Sequence, residues 1–101
     1  MRLILYSKPG CHLCEGLQEK LEKIQNLSFE LEIRDITTRE DWFSAYQYEV
    51  PVLYLSNRKN ANEEVNIIEQ PLPRPSPRAS VQQLEQMLSK YLSNNQKNNA
   101  E

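Results

Sequence analysis

The stretch Leu3-Ile4-Leu5-Tyr6-Ser7-Lys8-Pro9-Gly10-Cys11-His12-Leu13-Cys14 decides how the rest of the chain is read. Leu3-Ile4-Leu5 is a continuous apolar run, which predicts a short strand over residues 2–6 buried on both faces. Ser7-Lys8-Pro9-Gly10 breaks that strand. From Cys11 to about Asn26, Leu13, Leu17, Leu21 and Ile24 recur at helical spacing. They predict one inward stripe of an amphipathic helix, with Glu19, Lys20, Glu22 and Lys23 as its wet face. Gly16 sits inside this helix, where glycine costs about 1 kcal/mol relative to alanine. A close packing contact near the helix start would account for it.

Residues 28–34 alternate between apolar and charged side chains, which predicts a half-exposed edge strand. Strand, helix and strand make a βαβ unit, so the first two strands should be parallel. Thr37 with Glu40 has the form of a capping box. It introduces a short helix carrying Trp42, Ala45 and Tyr46 on one face, which ends before Val50-Pro51. Packing of that helix is the expected role of Trp42, Tyr46 and Tyr48.

Val50 to Leu55 reads as a third strand. Ser56 to Glu64 reads as a long hairpin loop, with Arg58-Lys59-Asn60 solvated, and Val65 to Glu69 as the return strand. Residues 71–77 hold four of the six prolines and exclude helix or central strand. Ser80 with Gln83 is a second capping box. It opens a last helix with Val81, Leu84, Met87, Leu88 and Tyr91 inward. From Ser93 the chain is rich in Asn, Gln and Lys and has nothing to bury, as a frayed tail would. The predicted order is β-α-β-α-β-β-α over residues 1–92, with a disordered polar tail at 93–101.

A length of 101 residues suits one domain with one core. The mean hydropathy of -0.72 owes much to the tail and the charged loop. A net charge of -2 and the lack of a basic run argue against nucleic-acid binding by phosphate neutralisation. The N-terminal apolar stretch is too short for a signal peptide, and no run approaches membrane-spanning length. The expectation is a monomer in the cytoplasm, without membrane or nucleic-acid partners. In a reducing compartment a cysteine pair points to catalysis or metal rather than to a structural bridge.

Cys11 and Cys14 begin a helix that follows a buried strand, and this context gives the C-x-x-C spacing its weight. Unpaired N–H groups and the partial positive charge of a helix N-terminus favour a thiolate there. Cys11 is then a nucleophile near neutral pH, with Lys8 adding a cation beside it. Cys14, one turn on, stands ready to attack a mixed disulfide, its sulfur covered by Leu13 and Leu17. His12 either tunes the thiolate or is simply exposed, and Glu15 is an ordinary first-turn acid. A closed mononuclear zinc site takes four ligands, whereas the chain offers two cysteines and one histidine. No metal site is expected within one chain.

Residues Ser7 to Cys14 resemble the active-site turn of glutaredoxins, specifically a short branch with a K-P-G-C-x-L-C turn. Val50-Pro51-Val52-Leu53 resembles their second signature, in which the proline is cis and faces the cysteine pair. The resemblance implies the glutaredoxin version of the thioredoxin-like fold, an α/β domain with a four-stranded mixed sheet flanked by helices. It implies Cys11 as nucleophile, Cys14 as resolving thiol, Pro51 with Val50 as a guide for the substrate backbone, and Lys8 as an anion-binding side chain. The implied activity is reduction of protein or small-molecule disulfides, including glutathione mixed disulfides, by dithiol exchange without a tightly bound cofactor. Glutathione or a thioredoxin-reductase-type protein would supply electrons. The alternative is a binding module, such as a carrier bridging an iron–sulfur cluster between two protomers. One departure stands out. Glutaredoxins hold glutathione on a Gly-Gly turn before the last helix, and this chain has glycines only at positions 10 and 16. Arg74, Arg78 and Ser80 are the candidates to replace that turn.

Overall fold

A computed structural model describes residues 2–57 and 68–100, with side chains through Leu92. Four strands form one mixed sheet in the order β2-β1-β3-β4. They are β1 (Arg2–Ser7), β2 (Glu30–Asp35), β3 (Val52–Ser56) and β4 (Glu69–Pro71). The helices are α1 (His12–Glu22), α2 (Glu40–Tyr46) and α3 (Val81–Ala100). β1 pairs in parallel with β2, Leu3 opposite Leu31, and antiparallel with β3, Leu3 opposite Leu55. This is the four-stranded mixed sheet flanked by helices that the resemblance implies.

The unbroken apolar run of β1 follows from its central place. Alternate side chains of a strand point to opposite faces, so Leu3 and Leu5 enter one layer and Ile4 and Tyr6 the other. In the first layer they meet Leu17 and Leu21 of α1, Leu53 and Leu55 of β3, and Leu84 and Leu88 of α3. In the second they meet Ile36, Trp42, Tyr46, Val52 and Tyr54. Burial raises the pKa of Tyr6 and of Tyr46, whose hydroxyl donates to that of Tyr54 at 3.3 Å.

Several elements depart from the sequence reading. The alternation in β2 does mark an edge strand, but its charges are not merely solvated. Arg34 reaches Glu32 at 2.6 Å, the Tyr6 hydroxyl at 2.7 Å and Glu69 at 3.1 Å, and lies over the Tyr6 and Trp42 rings. Thr37 and Glu40 form no capping box. Asp35, two residues upstream, accepts both the Thr37 amide and hydroxyl, which holds its carboxyl below the usual range and winds Ile36–Thr38 into a 3-10 turn. Arg39 precedes α2 without a side-chain cap. Ala45 is exposed, and Tyr48, 87% exposed, packs nothing.

The described part of the return strand runs over Glu69–Pro71, two residues past the expected end at Glu69, and residues 58–67, with most of the expected loop and positions 65–67 of the expected strand, lie outside the described residues. Pro71 fits because β4 is an edge, where a missing N–H breaks no interior ladder. The second capping box forms as read, with Ser80 and Gln83 exchanging bonds of 2.9 and 3.1 Å. The backbone continues helical through residues 93–100, the stretch expected as a tail. Among the described residues no helix is long and apolar enough to cross a membrane.

Candidate active site

The turn from β1 into α1 places the two cysteines. Gly10 adopts φ +79°, a conformation that suits glycine, and turns the chain so that Cys11 becomes the N-cap of α1. Cys11 Sγ accepts the Cys14 amide at 3.1 Å, satisfying one of the unpaired donors of the first turn. The two residues are joined as a disulfide with Cα atoms 5.3 Å apart. Their surroundings differ. Cys11 is half-buried, while Cys14 is 0% exposed, under the sheet-facing side of α1.

Leu13 does not join the inward stripe. It is 55% exposed, between the two cysteines in the chain. His12 projects outward, its side chain 94% exposed, with Nδ1 3.6 Å from Glu15. Of the two readings of His12, the exposed one describes its position.

Lys8 donates from Nζ to the Gln47 carbonyl at 3.2 Å, tying the cysteine turn to the chain leaving α2. That chain leads directly into Val50-Pro51. The Val50 amide donates to Tyr46 O at 3.0 Å, its side chain packs in the aromatic layer, and the Val50–Pro51 peptide is cis. Pro51 is buried and borders a groove of about 280 Å³. The opposite wall of the groove is the α1 face bearing His12, Leu13, Gly16 and Lys20, and residues 74–77 close its far side. Pro51 thus shares this groove with His12 and Leu13 of the C-x-x-C turn, whereas Lys8 and Val50 are not among its lining residues.

The Gly16 expectation needs correction. Nothing lies within 4 Å of where its Cβ would stand, so no close packing accounts for it. It is instead a wall of the groove. Lys20 lies on the expected wet face of α1 but is not merely solvated. Its Nζ donates to Pro77 O at 2.9 Å and Ala79 O at 2.6 Å, fastening α1 to the approach of α3. Positions 13, 16 and 20 share one helix face at spacings of three and four, the signal that could have separated this groove face from the core stripe.

Of the three candidates for the missing Gly-Gly turn, the side chains of Arg74 and Ser80 are engaged by the protein itself, whereas Arg78 is exposed and bonds through its backbone. Arg74 donates from Nε to Pro51 O at 3.4 Å and from Nη2 to Glu49 O. The Ser80 hydroxyl caps α3, and the Arg78 amide donates to Ser76 Oγ at 3.2 Å. Among the described residues no group of three or more His, Cys, Asp or Glu side chains could hold a metal ion.

A close cysteine pair at a helix N-terminus beside a Val-Pro turn fits a thiol–disulfide redox role. No curated protein and no solved structure matches the chain. The model of the family described as Glutaredoxin-like domain (DUF836) matches residues 2–89. That match takes in the four described strands, the cysteine turn and the first part of α3, and the chain belongs to the glutaredoxin-like family.

Proposed function

We propose that the protein is a dithiol–disulfide oxidoreductase that reduces protein or small-molecule disulfides. The observation that carries this reading is the asymmetry of the pair: a half-buried Cys11 at the helix cap and a fully covered Cys14 one turn on. In the reduced protein the Cys11 thiolate attacks one sulfur of the substrate disulfide. A bond forms between Cys11 Sγ and that sulfur, and the other substrate sulfur leaves as a thiolate that takes a proton from solvent. The Cys14 thiolate then attacks Cys11 Sγ, releasing the second substrate thiol and forming the Cys11–Cys14 disulfide. The substrate gains two electrons. Two molecules of glutathione, which leave as glutathione disulfide, or a reductase-type protein return the two electrons and restore the pair in a reducing compartment such as the cytosol. Pro51 and Val50 guide the substrate backbone beside Cys11, and Lys8 adds positive charge at the turn.

Mass spectrometry of Cys11→Ser and Cys14→Ser proteins after exposure to a disulfide substrate tests the assignment. Cys14→Ser should accumulate a mixed disulfide on Cys11, since no internal thiol remains to release it, and Cys11→Ser should carry no adduct. The reverse pattern would exchange the two roles. No adduct on either variant would end the oxidoreductase reading. Turnover in a glutathione-coupled assay should be low, because a Pro-rich segment stands where the Gly-Gly turn would approach the tripeptide.

A further inference from the structure

The segment 71–77 replaces a glycine turn, yet it is not filler. Its one cation within the groove, Arg74, is turned onto the opposite loop. The guanidinium bridges two carbonyls, Glu49 O and Pro51 O, that flank the Val50–Pro51 peptide. From the other side of the same connection, Lys8 holds Gln47 O. A third cation, Lys20, holds the C-terminal end of the segment through Pro77 O and Ala79 O. The groove's two walls are therefore cross-tied: Lys20 joins α1 to the segment, and Arg74 joins the segment to the Pro51 turn.

The geometry points to Arg74 as a positioning residue for thiol–disulfide exchange rather than an anchor for a substrate carboxylate. This inference rests on the oxidoreductase reading above. An arginine fork fits two acceptors at once, and here both are supplied by the protein's own backbone. Attack of Cys11 on a disulfide requires the three sulfurs close to a line, and the Pro51 turn forms the wall along which the substrate backbone lies. Fixing that turn to the segment fixes the approach. Arg74 acts on where the substrate sits and not on the charge state of Cys11.

The experiment compares wild type with Arg74→Met, which keeps the apolar stem and removes the fork, and with Arg74→Lys, which can serve one carbonyl at a time. Each protein is reduced, desalted and mixed with two probes: glutathione disulfide, and an uncharged peptide disulfide. A misplaced reacting group costs up to about a hundredfold in rate, and loss of one tie should cost roughly tenfold for both probes. Arg74→Lys should recover part of that loss. Alkylation of Cys11 by iodoacetamide, and its pH profile, should match wild type in both variants. Amide exchange should quicken at Val50, whose N–H bonds to Tyr46 O, but not at Leu72, whose N–H bonds to Leu53 O.

A loss confined to glutathione disulfide would overturn the proposal, because it would make Arg74 a carboxylate anchor. Unchanged exchange with both probes would overturn it, as would a shifted pH profile of alkylation. If Arg74→Met does not fold, the Arg74→Lys rates decide: wild-type values refute the positioning role, and a partial loss on both probes supports it. A wild-type protein that exchanges with neither probe refutes the oxidoreductase reading, and the Val50 amide then still reports whether the tie exists.

Discussion

Replacing Gly16 with alanine should stabilise the protein and obstruct its groove in one step. Gly16 lies inside α1, five residues after the cap, where glycine is about 0.8–1 kcal/mol less favourable than alanine. No atom lies within 4 Å of the added Cβ, so no clash subtracts from that gain and little packing adds to it. The net expectation is about 1 kcal/mol, a rise in Tm of roughly 4–8 °C for a domain of this size. Thermal unfolding followed by far-ultraviolet circular dichroism reads it. The same methyl group stands in the groove wall facing Pro51. A misfit of one methyl in an apolar pocket costs about 1 kcal/mol or more, so exchange with a peptide disulfide carrying a bulky apolar neighbour should slow roughly fivefold. Exchange with a small disulfide such as hydroxyethyl disulfide should not change. A lowered Tm would refute the open-space argument. Equal slowing of both probes would refute the groove as the place where the flank of the substrate sits.

The buried tyrosines set an alkaline limit on stability. Burial raises the pKa of Tyr46 and Tyr6 above the ordinary value of 10.0, so below pH 10 the folded and unfolded chains both keep these protons. Above pH 10 the unfolded chain ionises first, and stability should fall as pH climbs toward the folded-state values. Denaturant midpoints at pH 9, 10 and 11, with tyrosinate absorbance as a second signal, check the sign, and a constant midpoint would contradict it. Leu84→Ala removes a side chain 1% exposed between α3 and the sheet and should cost about 2–5 kcal/mol in urea unfolding. A loss below about 1 kcal/mol would show that the site collapses onto the gap.

What the sequence determined by itself is whatever rests on short-range physics. The run Leu3–Leu5 required burial on both faces, and β1 is central. Ser80 and Gln83 lie three apart with nothing nearer to compete, and the capping box formed. The cysteine pair was legible because a strand, a Pro-Gly break and a helix start meet within a few residues. Even locally, competition misled: Asp35 took the Thr37 amide that a Thr37–Glu40 box would have given to the Glu40 carboxylate.

The tertiary structure decided what depends on partners distant in sequence. Leu13 and Leu17 look alike in the sequence, but α1 can turn only one face to the sheet, so Leu17 is buried and Leu13 is exposed. Lys20 reads as a wet-face lysine until Pro77 and Ala79 arrive beside it, 57 and 59 residues on. Arg74 reads as a possible ligand for a carboxylate until the loop at Glu49–Pro51 comes within its reach. A periodic pattern shows which residues share a face, because it follows from the pitch of one element. Which face meets the core, and which cation a backbone carbonyl claims, depends on how the elements pack, and no single element carries that information.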